Sequence, residues 1–565
     1  MRDGIIQSAK KAKLAMGGYQ MKIERILIED QMAPIGLDEK KPAFSWLLTA
    51  EEGEQNLMQS ACRIVVRTGE DTVWDSGKME TGVSTGIVYE GEALQPCTKY
   101  EVKAEVWDNH GGKAEAESSF ETGLMDSSYA AWEGAEWIGA PHATVCAENR
   151  GVFTIESEFR MEGGKGEAGI VFGANDFRLN DHTKNELGME GKNYIRYAVC
   201  LEDGDTRLEI YRVGYAPEDT AEKPFAVTEL VNWNEKTQEV LTPENADAFH
   251  KLTVQVDGNV AYAYVDDILV DAIEEHGFFG TKVSGRQLNP RGNNDVLPYP
   301  RLNEIGFYAG KETTGYFKNL TVRNVRKPSA EIVRETPEGR LDGGKSIFAD
   351  QIPVENGCFK VEDSQITADP SHHSIPMLRS CISCQKEKKL ASARLYITAR
   401  GIYDCRINGQ EITEDLLRPG LTQYDHRMNY QTYDITGLMK PGRNGIGVTL
   451  ASGWWSEAQT FVVKNFNYFG DKESLLAKIV MTYEDGSREV FGTNTKDWKY
   501  FGEGPYLFSS YFAGEQYDAR RAEVYETYSL PEFDDSTWEK PVVVDTVMIE
   551  EFCTMPGFGR AWPAG

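Results

Sequence analysis

At 565 residues the chain is too long for one hydrophobic core and should divide into three or four domains. Forty per cent apolar and 11% aromatic residues are enough for several cores, while 60 basic against 89 acidic side chains leave a formal charge of −29. A field of that sign repels phosphate backbones and anionic headgroups, which argues against nucleic acid and membrane surfaces as partners and leaves neutral ligands such as sugars unpenalised.

The leader, residues 1–19, mixes Ile5, Ile6, Leu14 and Met16 with lysines and arginine. It lacks the continuous apolar core of a secretion signal, and no stretch approaches the roughly 20 apolar residues of a membrane span. A short surface helix or an unstructured leader is expected, in a cytoplasmic protein unless an upstream segment has been lost. Beyond it helical periodicity almost vanishes. Short alternating runs such as Tyr100–Trp107, Lys251–Val256, Ala261–Val265 and Ala393–Ala399 recur between turn residues. That pattern predicts an all-β fold of tandem β-sandwiches.

The first unit spans 20–125. Pro42–Trp46 opens a strand, Trp74–Gly77 makes a turn, and Leu94-Gln-Pro-Cys-Thr-Lys-Tyr100 precedes a long alternating strand ending at Asp108-Asn-His-Gly111. This run resembles a fibronectin type III domain, in which the Tyr100 hydroxyl would bond to upstream backbone at a corner. Residues 126–149 read as a linker. From 150 to 327 strands are expected at 153–160, 168–172, 194–201, 207–213, 251–256, 261–265, 304–309 and 316–322. Their order resembles a concanavalin-like (laminin-G-like) jelly roll, with a polar stretch at 274–301 as a binding-loop candidate. Residues 328–350 read as a second connection, 351–545 as a third sandwich, and 546–565 as a C-terminal tail.

Nine cysteines without regular spacing argue against a disulfide framework. Cys381 and Cys384 form a CxxC, but it lies in an apparent strand and no second pair exists to complete a zinc site. Buried thiols are the simpler expectation.

The third unit carries the specific motifs. In order they are ARLYITARGIYDCRING (393–409), LRPGLTQYD (417–425), YQTYDIT (430–436), GRNG (442–445), GWW (453–455), YEDGSR (483–488) and GEQYDAR (514–520). Asn408-Gly409 supplies the positive-φ positions of a tight hairpin, Asp485-Gly486 closes another, and Pro419-Gly420 and 442–445 are expected to turn the chain. As a set they resemble the N-terminal sandwich of the bacterial α-L-rhamnosidases, glycoside hydrolase family 78, and the first unit resembles the domain that leads those enzymes. The middle jelly roll then reads as an insertion.

The resemblance implies an inverting hydrolase whose two catalytic carboxyls, roughly 6.5–9.5 Å apart, lie on a helical toroid following the matched region. The chain ends at Gly565, where that toroid would begin, and shows no helical repeat. No catalytic residue is therefore carried over, and no rhamnoside hydrolysis is expected of the chain alone. What remains is an accessory, carbohydrate-binding role towards rhamnose-containing glycans. The alternative is a non-catalytic module that positions a partner catalytic domain or subunit.

Sugar binding needs an aromatic face and planar polar groups. Trp454 and Trp455 are adjacent, so on a strand only one can face the core. The other is a stacking candidate, with Asn465, Asn467 and Tyr468 nearby in sequence, or else a packing residue. Glu515, Tyr517, Asp518 and Arg520 are read as domain-interface residues or as a salt-bridged strand end. No cofactor is required. In the resembled family calcium sometimes assists binding, and Asn175-Asp176 with Asn180-Asp181, or Asp266-Asp267, could contribute oxygens or simply make turns. A separate glycosidase in the jelly roll would need paired glutamates on one strand, and Glu156 and Glu158 are the nearest such pair.

Overall fold

The computed structural model describes residues 21–50, 56–141, 152–176, 193–203, 205–216, 218–227, 240–242, 244–257, 260–270, 283–284, 288, 302–325, 327–341, 344–370, 374–457, 469–470, 472–511, 514–544 and 551–554. Strands dominate, and the longest helix among the described residues is the six-residue Ala522–Thr527. The fold is all-β, and among the described residues no helix is long and apolar enough to cross a membrane.

In the first sandwich Met21–Ile28, Ala43–Ala50 and Ile87–Val88 face a sheet ordered Asp71–Asp75, Gln59–Thr68, Lys99–Asp108, Lys113–Glu121. Period-2 alternation turns Ile64, Val66, Val102 and Val106 inward against Phe44 and Trp46. The amide of Gln95 donates to the Tyr100 hydroxyl at 2.8 Å, and the Tyr100 ring stacks on Phe120. This is the corner bond expected from the sequence.

The middle sandwich is larger than expected. The strand Glu304–Phe317 continues past 309, because Tyr316 and Phe317 belong to its end, and a separate strand, Leu320–Asn324, follows. Lys327–Thr336, from the expected connection 328–350, pairs with Leu320–Asn324. Cys358–Ala368, from the expected third unit, pairs along Glu304–Phe317. Their apolar residues Val333, Phe348, Phe359 and Val361 complete the core around Phe307 and Phe317. A charged, glycine-rich stretch thus hides edge strands whose inward side chains are few.

The third sandwich packs a sheet ordered Gln410–Glu411, Ile402–Ile407, Gly442–Ala451, Met377–Cys384, Lys499–Phe501 against one built on Ser474–Tyr483, Leu390–Arg400 and Arg427–Asp434. Two short strands join the second sheet from outside the expected boundaries. Ile138–Gly139, in the expected linker, pairs with Ser474 and Leu475, and Glu551–Thr554, in the expected tail, runs parallel to Arg427–Tyr430. The middle sandwich is therefore inserted within the third, after its first strand. Residues 442–445, expected as a turn, begin a strand instead. Asn444 is fully buried there, its side chain bonded to Asn408 and to the backbone of Lys440 and Gly442. Asn408 and Gly409, at φ 51° and 83°, form the hairpin the sequence predicts.

The described cysteines are free, and the CxxC lies on the strand Met377–Cys384. The first sandwich docks on the third through buried polar contacts. Tyr430 donates to Asp38 at 2.6 Å and accepts from the Leu124 amide at 2.8 Å, while Arg394 pairs with Glu121 and Asp434.

Candidate functional site

On the strand Ile402–Ile407 alternation sends Tyr403, Cys405 and Ile407 into the core and leaves Asp404 and Arg406 half-buried on the other face. Beside that face run the segment 416–418 and the hairpin of Tyr506–Ser510 with Gly514–Tyr517, followed by the helical turn Ala522–Thr527. Between them lies a cleft of about 470 Å³, whose lining combines Asp404, Arg418, Tyr506, Tyr511 and Tyr525 with aliphatic residues such as Leu416 and Leu417. That size is typical of pockets for small organic ligands.

The polar floor is fixed by its own bonds. Arg418 Nη2 donates to Asp404 Oδ1 at 3.1 Å, and the Tyr525 hydroxyl donates to Asp404 Oδ2 at 2.9 Å. Arg406 Nε lies 3.7 Å from the same carboxylate, and its guanidinium covers the Tyr525 ring. Arg418 is 95% buried, with its guanidinium over the Tyr403 ring and bonded to the Tyr433 hydroxyl. Burial raises the Tyr511 and Tyr525 hydroxyls far above the usual phenol range. Both stay neutral near pH 7, so they act as O–H groups rather than phenolates.

The structure brings one of the sequence candidates, Glu515, to this cleft and packs a second, Trp454, behind its Tyr511. Glu515 is exposed on its wall, where Ser509 Oγ donates to it at 3.4 Å. Trp454 packs against Tyr511 with ring centroids 4.4 Å apart. The tryptophans sit on a helical turn, Gly453–Ser456, not on a strand. Successive side chains on such a turn still diverge, by about 100°. Trp455 is accordingly buried among Tyr424 and Phe469, and Trp454 is half-buried. Asn465, Asn467 and Tyr468 lie outside the described residues, as does most of the loop 274–301.

Tyr517 packs edge-on against Tyr506 next to the cleft. Asp518 and Arg520 turn to each other: Asp518 caps the turn Ala519–Arg521 and takes two bonds from Arg520, whose side chain is 89% exposed. The Arg520 guanidinium, with help from the backbone and Arg521, lowers the Asp518 carboxyl to about 2.

Of the expected calcium ligands, Asp266 and Asp267 are engaged with neighbouring groups. Asp266 accepts from the Lys251 amide and faces His250 Nδ1, and Asp267 pairs with Lys251. Asn180 and Asp181 lie outside the described residues, and among those residues no group of three or more His, Cys, Asp or Glu side chains forms a metal cage. Glu156 pairs with Arg323 on a neighbouring strand, and Glu158 with Lys318 in the turn that precedes that strand.

Sequence reasoning missed Tyr403, Asp404, Arg418, Tyr506, Tyr511 and Tyr525 as a group. Asp404 on an alternating strand and Arg418 before Pro419 were visible locally, but nothing local shows that positions a hundred residues apart converge.

Residues 388–554 match the family described as Alpha-L-rhamnosidase N-terminal domain, and residues 23–126 match the family described as Rha78A-like, N-terminal immunoglobulin domain. An alpha-L-rhamnosidase of Streptomyces avermitilis is 26% identical over 521 residues, covering 90% of this chain and 44% of that protein. One from Formosa agariphila is 38% identical over 153 residues, 26% of this chain and 16% of that protein. The crystal structure of Streptomyces avermitilis alpha-L-rhamnosidase complexed with L-rhamnose superposes with a TM-score of 0.52 at 20% identity, over 95% of this chain and 46% of that one. The chain thus spans less than half the length of these relatives. Its two matched domains relate it to the alpha-L-rhamnosidase family of glycoside hydrolases, with an N-terminal immunoglobulin-like domain.

Proposed function

We propose that this chain is the accessory, carbohydrate-binding region of an alpha-L-rhamnosidase-type glycoside hydrolase that acts on rhamnose-containing glycans. The observation that carries the reading is the 521-residue similarity to an alpha-L-rhamnosidase, which runs through all three sandwiches yet spans 44% of that relative. The aromatic, charge-balanced cleft of the third sandwich supports a sugar as the ligand. Its two acidic groups, Asp404 and Glu515, are offset by Arg406 and Arg418, so nothing in it recruits an ion. In this reading the leading sandwich is of the fibronectin type III kind, which its division into three and four strands supports.

Isothermal titration of the full chain with L-rhamnose, with and without calcium, tests the proposal alongside an assay for hydrolysis of an aryl α-L-rhamnoside. Saturable rhamnose binding without turnover is expected. Turnover would overturn the accessory role, and the absence of heat in both calcium conditions would overturn carbohydrate binding. A second reading, a module that positions a catalytic partner, draws on the exposed Leu416, Leu417 and Leu421. A titration without heat, combined with co-elution with a separately expressed catalytic subunit, would favour it.

A further inference from the structure

We propose that the turn 416–421 is a docking ledge for the chain's own leader, residues 1–19, whose apolar and basic side chains match its leucines and its acidic rim. The inference is independent of what the cleft binds. It gives the leucines on which the second reading draws an occupant from within this sequence.

The ledge is rigid as well as apolar. Leu416 is 79% exposed, and Leu417 and Leu421 are 49% exposed each. The backbone beneath them is nevertheless held at successive residues. Arg418 is buried and bonded to Asp404, and its carbonyl accepts from the Tyr403 amide at 3.1 Å. The Pro419 carbonyl accepts from Gln431 at 3.0 Å, and the Gly420 carbonyl from the Tyr424 hydroxyl at 2.7 Å. Leu417 stands at φ 59°, a left-handed conformation that leucine adopts only under constraint. Large apolar side chains fixed outward on such a turn gain when something covers them, and a preformed surface loses little entropy in being covered.

The charges around the ledge select a basic occupant. Arg406 and Arg418 are turned to Asp404 and Glu411. Glu414, two residues before Leu416, and Glu515, on the wall of the cleft, are exposed carboxylates without a cationic partner among the described residues. A second copy of the same ledge is repelled, because acid would face acid. The leader has the opposite character: Arg2, Lys10, Lys11 and Lys13 stand against Asp3, in a chain whose formal charge is −29. Its Ile5, Ala9, Ala12 and Met16 recur at the spacing that gathers side chains on one face of a helix, so apolar and basic groups can be presented together. The described chain begins at Met21. Nineteen residues span up to about 60 Å when extended, further than a sandwich roughly 35 Å across. Leu416, Leu417 and Glu515 also line the cleft, so a docked leader lies along its mouth.

A carbodiimide, which joins an amine to a carboxylate only where the two touch, tests the docking on the full chain. Mass spectrometry is expected to find Lys10, Lys11 or Lys13 joined to Glu414 or Glu515, and high salt should reduce the yield. Leu416→Asp, at a position too exposed to hold the fold and checked by near-UV circular dichroism, should abolish those bonds. Trypsin cleavage after the same lysines should be about tenfold slower in the parent than in Leu416→Asp, since a docked segment is cut in its open fraction. Mixing nitrogen-15-labelled with unlabelled chains shows whose leader is bound; a bond within one chain and a bond between copies both support the docking. Leader lysines joined only to other carboxylates, or to none, would overturn it. So would leader cleavage at the same rate in both proteins.

Discussion

Two faces of the third sandwich carry clusters of polar and aromatic side chains, and they are finished in opposite ways. Where the first sandwich docks, the surfaces are closed: Arg394 is matched by Glu121 and Asp434, and Tyr430 is held by Asp38 and the Leu124 amide. Gly123 lies so close that a Cβ there would stand 2.3 Å from the Tyr430 hydroxyl. At the cleft the same residue types leave open volume and exposed leucines. A closed polar network holds domains together, whereas open volume beside one leaves room for a ligand. The presence of arginine, aspartate and tyrosine does not separate the two cases; whether open volume and exposed apolar side chains remain beside them does.

The contrast can be broken by substitution. Arg394→Ala should have the largest effect, about 3–5 kcal/mol, because it strands the Glu121 carboxylate at the junction. Urea denaturation at pH 7 measures it, and a loss below 1 kcal/mol would show the junction to be incidental. Gly123→Ala should cost roughly 1–3 kcal/mol through overpacking against Tyr430 and Asp38, read from the same denaturation curves.

On the cleft side Glu515→Gln should change stability by less than about 0.5 kcal/mol, since the side chain is exposed, while altering sugar affinity in the titration. A large stability loss there would erase the distinction between the two faces.

The smallest expected effect is that of Asp518→Asn. The folded carboxyl titrates at about 2, below its unfolded value near 4, so its contribution is present above about pH 4 and is lost as pH falls towards 2. A slight drop in melting temperature at pH 7 that disappears near pH 2 is the expected signature. A drop that persists at pH 2 would assign the effect to something other than the carboxylate charge.

Much of the fold was readable from local pattern. Alternation in Tyr100–Trp107 and Ala393–Ala399 determined strands, Asn408-Gly409 determined a hairpin, and Tyr100 its corner bond, because each depends on neighbours within a few residues. Short edge strands escaped: Ile138–Gly139 and Glu551–Thr554 have too few residues for periodicity to register, and only pairing with distant partners defines them. The middle sandwich was read as an insertion, but that it falls within the third sandwich and not ahead of it was hidden for that reason. So was the real start of the strand at Gly442, where the buried clasp of Asn408 and Asn444 overrides the turn propensity of Gly-Arg-Asn-Gly.

The candidate site divides along the same line. The sequence by itself determined that Trp454 and Trp455 would separate, one inward and one outward, because adjacent side chains diverge on a strand or a helical turn alike. It also singled out Glu515 through its motif. Only the tertiary structure decided that Glu515 and Tyr511 would meet Asp404 and Arg418 around one cavity, with Trp454 packed on Tyr511, while Asp518 and Arg520 would pair with each other. Convergence of that kind is a property of sheet packing, in which residues a hundred positions apart become neighbours and no local energy records it.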